Sequence, residues 1–121
     1  MDMQVYQLHG VSVVEFPTVG EPVGSERHAV EMISEAAGHH AELIVIPVER
    51  LSADFFRLKT RIAGEILQKF VTYRKRVAIL GDISAQVAES SALRDFVYEC
   101  NKGQHIWFVA NLDELGQKLK A

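Results

Sequence analysis

Apolar residues recur along this chain at two spacings, and the alternation between them predicts its elements. Two short runs, Leu43 to Ile46 and Val77 to Leu80, are continuous and rich in β-branched residues, the pattern of strands buried on both faces. Between them lies the stretch around which the rest is organised, Leu51 to Tyr73. There Phe55, Leu58, Ile62, Ile66 and Tyr73 repeat at helical spacing, as do Phe56, Ala63, Leu67 and Phe70. The spacing predicts one long helix. Ser52 suits its N-cap and Asp54 its first turn, where a hydroxyl can accept from an unpaired N–H and the dipole favours negative charge. The two apolar sets merge into an arc of roughly 200°, against about 100° for an ordinary surface helix. Such a helix should touch more than one neighbour.

The remaining elements follow in order. Met3 to Phe16 reads as two strands joined by a tight turn at His9–Gly10. Pro17 to Gly24 is a punctuated loop. Ser25 can cap a helix whose apolar face is Ala29, Val30, Met32, Ile33, Ala36 and Ala37, with Gly38 as its stop. Pro47 marks a strand end, because it cannot donate to a ladder. Asp82 to about Ser91 reads as a loop. A helix carrying Leu93, Phe96, Val97 and Cys100 then ends at Gly103. His105 to Val109 is the last strand, and Asn111 with Glu114 resembles a capping box for the last helix. The order β-β-α-β-α-β-α-β-α implies an α/β fold with a mixed, mostly parallel sheet; one early strand is antiparallel, since a two-residue turn cannot join parallel strands.

Length and charge narrow the function. The chain has 121 residues, which suits one domain, 1–121, able to bury about two-thirds of its unfolded surface without a staple. A net charge of −3 argues against a dedicated nucleic-acid binder, which would show a basic face. The one basic cluster, Arg74-Lys75-Arg76, follows the long helix, where cations suit the dipole. A single cysteine, Cys100, rules out an internal disulfide and fits a reducing compartment. The N-terminus lacks a signal-peptide pattern, and no run approaches the roughly 18 apolar residues of a membrane span. The expected location is the cytoplasm.

Two resemblances add to this. LSADFFRLKTRIAGEILQKF (Leu51–Phe70), GDIS (Gly81–Ser84) and DFVYECNKG (Asp95–Gly103) resemble a bacterial family known as domain of unknown function 4180; the resemblance implies a compact stand-alone domain and no assigned activity. The order of elements, with LIVIPVERLS before the long helix and then VAILGDIS and HIWFVANLDEL, is similar to the STAS domain of sulfate transporters and anti-sigma-factor antagonists. That likeness implies a regulatory, partner-binding role. Many STAS domains are switched by phosphorylation of a Ser or Thr in an Asp-Ser/Thr-Ser-Gly turn at the start of the long helix. Here the matching positions read Asp54-Phe55-Phe56-Arg57, so the hydroxyl is missing; Ser52 lies earlier, where capping explains it.

Candidate chemistry is sparse. Ligands of parallel sheets bind at the carboxyl ends of the strands, which places Ser52, Asp54, Asp82 and Ser84 on one rim as a candidate ligand or partner site. The same residue types also make turns and caps in any such fold. Lys59 falls inside the apolar arc, where an ammonium must be paired, so it is expected to meet Asp54 or Asp82 and belongs to the same rim. Thr60 and Gly64 leave a small-residue groove for a neighbouring backbone or a second copy. No catalytic constellation, metal-ligand spacing or glycine-rich phosphate loop is present, so no cofactor or metal is expected; His39–His40 are the only adjacent histidines, and Cys100 reads as an inert core thiol. Two functions follow. The first is a non-enzymatic regulatory or protein-interaction domain, with a protein partner or homodimer and neither nucleic acid nor a membrane span. The alternative is a small-molecule-binding domain, or a weak enzyme, using the rim.

Overall fold

The computed structural model describes residues 3–120. Five strands form one sheet in the order β1-β2-β3-β4-β5: Gln4–Leu8, Val11–Glu15, Leu43–Pro47, Arg76–Leu80 and Ile106–Val109. The first pair is antiparallel and the other three are parallel, the α/β arrangement expected. The hairpin turns at His9 and Gly10, with φ of 49° and 79°. Glycine takes such angles freely, which is why it ends the turn. The helices are α1 (Glu26–Ala37), α2 (Ile62–Thr72), α3 (Ser84–Glu89), α4 (Ser91–Lys102) and α5 (Leu112–Lys120).

Alternation along the strands splits the core in two. Val14, Ile44, Ile46, Val77, Ile79 and Phe108 face α1, α2 and α4, while Val13, Leu43, Val45, Ala78, Trp107 and Val109 face Leu115 of α5. β3 is buried at all five positions, as its unbroken apolar run requires.

The long helix is the main correction. Leu51 to Tyr73 is not one helix; only Ile62–Thr72 is α-helical. Three 3₁₀ turns precede it, at Val48–Arg50, Ala53–Phe56 and Leu58–Thr60. Three features break the pattern. Leu51 is held extended by a parallel bridge to Val23. The Thr60 hydroxyl folds back on the backbone, 2.7 Å from the Arg57 carbonyl and 3.0 Å from that of Asp54, the competition with helical bonding that threonine offers. Arg61 then takes a left-handed conformation, φ 67°. The break lets Phe55 drop into the core with no exposure beside Ile66 and Phe70, a burial that stabilises by about 1.5–3 kcal/mol. The wide apolar arc is thereby divided between core and surface.

Smaller differences have similar origins. Residues 84–89 form the short helix α3 where a loop was expected; Asp82 Oδ1 accepts the Ser84 N–H at 2.9 Å and starts it. α1 ends at Gly38, yet Gly38 is right-handed and His40 supplies the positive φ, 57°. Gly103 closes α4 in extended conformation rather than left-handed. Two caps stand as read: Ser25 accepts from the His28 N–H at 3.3 Å, and Asn111 Oδ1 accepts from Glu114 N–H at 2.9 Å. The basic cluster serves packing. Lys75 donates to the Ala41 carbonyl, and Arg76 bonds the Gln104 carbonyl while lying 4.7 Å above the Trp107 ring centre.

The two sheet edges differ. On β5, Phe108 N–H donates to Asn101 Oδ1 at 2.7 Å and Asn101 Nδ2 donates to the Phe108 carbonyl at 3.2 Å. One side-chain amide thus occupies both outward backbone groups of Phe108, as a further strand would. β1 has no such cover among the described residues.

Candidate functional site

The rim residues lie apart in their surroundings. Asp82 and Ser84 pair with each other at the start of α3 and border a shallow dip with Ile83, Val87, Val97 and Phe108. The hydrogen bond from Ser84 holds the exposed Asp82 carboxyl below its usual range. Lys59 borders a different cleft, formed by Ala53, Phe56, Leu58, Gln86 and Glu89, and these two clefts share no residue. Lys59 is exposed rather than buried, and no carboxylate of the described residues lies within 4.0 Å of its amine. The expected pairing with Asp54 or Asp82 is absent because Lys59 lies in a 3₁₀ turn ahead of α2, not on the helix that would have carried it inward. Asp54 is exposed and meets Arg57 at 3.5 Å.

Ser52 does not cap a helix. Its Oγ makes no cap bond and is buried without a partner. It sits against Gly24, where an added Cβ would lie 3.2 Å from it. The backbone around it is well bonded: Val23 N–H donates to the Arg50 carbonyl at 2.6 Å and Ser52 N–H to the Val23 carbonyl at 3.1 Å. The Arg50 guanidinium reaches across to the carbonyls of Pro17, at 3.0 Å, and Glu21, at 3.1 Å. The punctuated loop is thereby stapled to the segment after β3.

His28 completes that staple. Gly24 N–H donates to Nδ1 at 3.1 Å, so the ring proton sits on Nε2, against the Glu21 carboxylate. The Ser25 hydroxyl also lies 3.1 Å from Nδ1. Hydroxyl, imidazole and carboxylate stand in line, but Ser25 is spent as the α1 cap and does not border the cleft that holds His28 and Glu21. The cluster fixes the helix start. A histidine three residues after a capping serine was its one sequence signal; the Arg50 contacts, spanning 29 to 33 residues, had none.

An open concave surface runs over α2. A cleft of about 560 Å³ is bordered by Leu58, Arg61, Gly64, Gln68, Lys69 and Phe96. The cleft of about 540 Å³ beside Phe56 adjoins it, with Leu58 common to both. Gly64 is its bare floor: a Cβ there would meet nothing within 4 Å. No backbone approaches the glycine, contrary to the small-residue groove expected there, and Thr60 lies outside the helix. Charges of both signs line the walls, and Lys69 meets Glu26 at 3.4 Å.

Cys100 is half-buried, and burial, then the charge of Glu99, pushes its thiol up, consistent with an unreactive sulfur. Among the described residues there is no cluster of three metal-ligating side chains and no helix long and apolar enough to cross a membrane. No curated protein and no solved structure matches the chain. A family model does, over residues 8–119, nearly the whole length. On that match the chain belongs to the family described as domain of unknown function (DUF4180).

Proposed function

We propose that the chain is a non-enzymatic regulatory or protein-interaction domain. The observation that carries this is the pair of open clefts meeting at Leu58. They form a trough with Phe56, Leu58 and Phe96 along its floor and mixed charges on its walls. An apolar floor with a polar rim is the anatomy of a surface that takes a polypeptide segment. In this reading residues 1–121 act as one STAS-like domain that works in the cytoplasm, and the partner supplies apolar side chains to the trough.

A photo-cross-linking amino acid at Gly64, where there is open space, tests it. A discrete cross-linked species in a lysate of the native cells, lost on Leu58→Glu, is the expected result. A chain that stays monomeric and cross-links to nothing at any concentration would sink the reading.

One observation favours the second reading, a small-molecule site, or a weak enzyme, at Ser52, Asp54, Lys59, Asp82 and Ser84. It is the buried, unpartnered Ser52 Oγ, since such a group costs about 1–3 kcal/mol unless something satisfies it. A thermal-shift screen against nucleotides, phosphates and lipids separates the two, because a ligand raises apparent stability by mass action. A ligand shift abolished by Ser52→Ala would favour this alternative.

A further inference from the structure

We propose that the open edge of β1, with the cleft beside it, docks an extended polypeptide segment that carries apolar and lysine or arginine side chains together on one face, at every second position. The hydrogen-bond pattern fixes which groups face outward. Ser12 carbonyl accepts from Glu42 N–H and Phe16 N–H donates to the Val45 carbonyl, so Ser12, Val14 and Phe16 face β3. Val11, Val13 and Glu15 then face β1, opposite Leu8, Tyr6 and Gln4. The backbone groups of Val5 and Gln7 therefore point away from the sheet, and among the described residues nothing bonds them.

Sheet proteins protect such an edge with charge, proline, a bulge or a covering element. The β5 edge has the Asn101 amide. β1, with sequence QVYQL, has none of these. The side chain of Val5 is 49% exposed and lies on the helical face, since its partner Val14 belongs to that core. On the same face a cleft of about 260 Å³ opens beside the start of β1, with Met3, Phe16, Val19 and Met32 as its apolar part. Val19 is 68% exposed.

Charge selects the partner. Glu31 and Glu35 border this cleft from α1, and among the described residues neither forms an ion pair within 4.0 Å. They stand four apart on one helix, where like charges repel. The guanidinium of the same cleft is already engaged, since Arg50 bonds the carbonyls of Pro17 and Glu21. A second copy pairing through β1 would bring no cation in QVYQL to these carboxylates. A foreign strand with basic residues brings one, gains main-chain bonds from Val5 and Gln7, and places its apolar side chains on the cleft floor. This extends the interaction reading to a surface separate from the Leu58 trough, so the two stand or fall separately.

The test uses the full chain and two labelled heptapeptides, Val-Ser-Lys-Ser-Val-Ser-Lys and Val-Ser-Glu-Ser-Val-Ser-Glu, which set valine and charge on the same face of an added strand. Fluorescence anisotropy should show saturable binding of the Val/Lys peptide, weaker as salt rises from about 50 to 300 mM, and none of the Val/Glu peptide. Glu31→Gln with Glu35→Gln should weaken it. Val5→Pro removes one outward N–H on an edge strand, where proline is tolerated, and should weaken it about tenfold, the loss of roughly 1.4 kcal/mol. Leu58→Glu should leave it unchanged. In the unsubstituted chain, amide exchange at Val5 and Gln7 should slow when the Val/Lys peptide binds, which holds even if the proline variant does not fold. Absence of saturable binding, or binding that leaves both amides unprotected, overturns the proposal. Concentration-dependent dimerisation that protects the same amides overturns the partner class and gives the edge to self-pairing.

Discussion

Arg50 and Gly20 occupy each other's space: a Cβ on residue 20 would stand 2.6 Å from Arg50 Cζ. The guanidinium is not free to yield, because it bonds the carbonyls of Pro17 and Glu21. Gly20→Ala should therefore displace the side chain and undo the same bonds that Arg50→Ala removes. Each substitution is expected to cost about 1–3 kcal/mol, the range for hydrogen bonds to a charged group. Their double mutant should cost far less than the sum, since each already destroys what the other would. Urea unfolding of the four proteins measures this; additive costs would show that Gly20 serves something other than Arg50.

Arg61 offers a stabilising change. It takes φ 67° and ψ 3° at the start of α2 with no cap from its side chain, a conformation that costs most residues about 1–2 kcal/mol. Glycine adopts it without strain but loses more freedom on folding. Arg61→Gly should raise stability by a net of about 0.5–1 kcal/mol, whereas a β-branched Arg61→Val should lower it. Thermal unfolding midpoints of the two variants should move in opposite directions.

Tyr6 gives the fold a pH dependence with a definite sign. Burial first, and then the hydrogen bond and charge of Glu15, 2.7 Å from the hydroxyl, raise the phenol well above its ordinary value. The folded chain keeps this proton after the unfolded chain has released it. The contribution to stability is therefore complete below about pH 10, the unfolded value, and declines as pH rises from there toward the raised folded value. One proton bounds the slope at about 1.4 kcal/mol per pH unit, and the partial exposure of Tyr6 keeps it below that bound. Tyr6→Phe removes the titration, so its alkaline loss of stability should be the shallower. Parallel stability curves above pH 10 would contradict this assignment.

The sheet was legible because its signal is local: β3 and β4 are apolar at successive positions, and a strand buried on both faces has no other pattern. His9–Gly10, Ser25 and the Asn111–Glu114 box were legible for the same reason, each acting within four residues. The region from Ser52 to Arg61 was not. Its apolar spacing is helical throughout, and nothing within it reports that Leu51 is held by Val23 or that Phe55 is drawn into the core. Those are contacts across the fold, and they outweigh a periodicity worth only tenths of a kcal/mol per residue (about 0–0.7). The misplacement of Lys59 follows from that single error, because a residue's side on a helix means nothing where the helix has not begun. Arg50 and Asn101 were invisible because what they bond is backbone, which any sequence supplies.

Asn101 tests whether an edge is kept closed by one side chain. Its amide presents an acceptor to Phe108 N–H and a donor to the Phe108 carbonyl, from two separate atoms of one planar group. Asn101→Asp keeps the acceptor but sets a carboxylate oxygen against the carbonyl. Asn101→Leu keeps the bulk and removes both bonds, leaving two outward groups of β5 open to any passing strand. Asp should cost more folding stability, because it adds repulsion; about 1–3 kcal/mol is the scale for an unsatisfied group. Leu should cost less in stability and more in solution behaviour, with faster exchange at the Phe108 amide and association that grows with concentration. Light scattering and amide exchange on the two variants separate the outcomes. If the Leu variant stays monomeric with Phe108 still protected, the packing of α4 and α5, not the Asn101 amide, closes the edge.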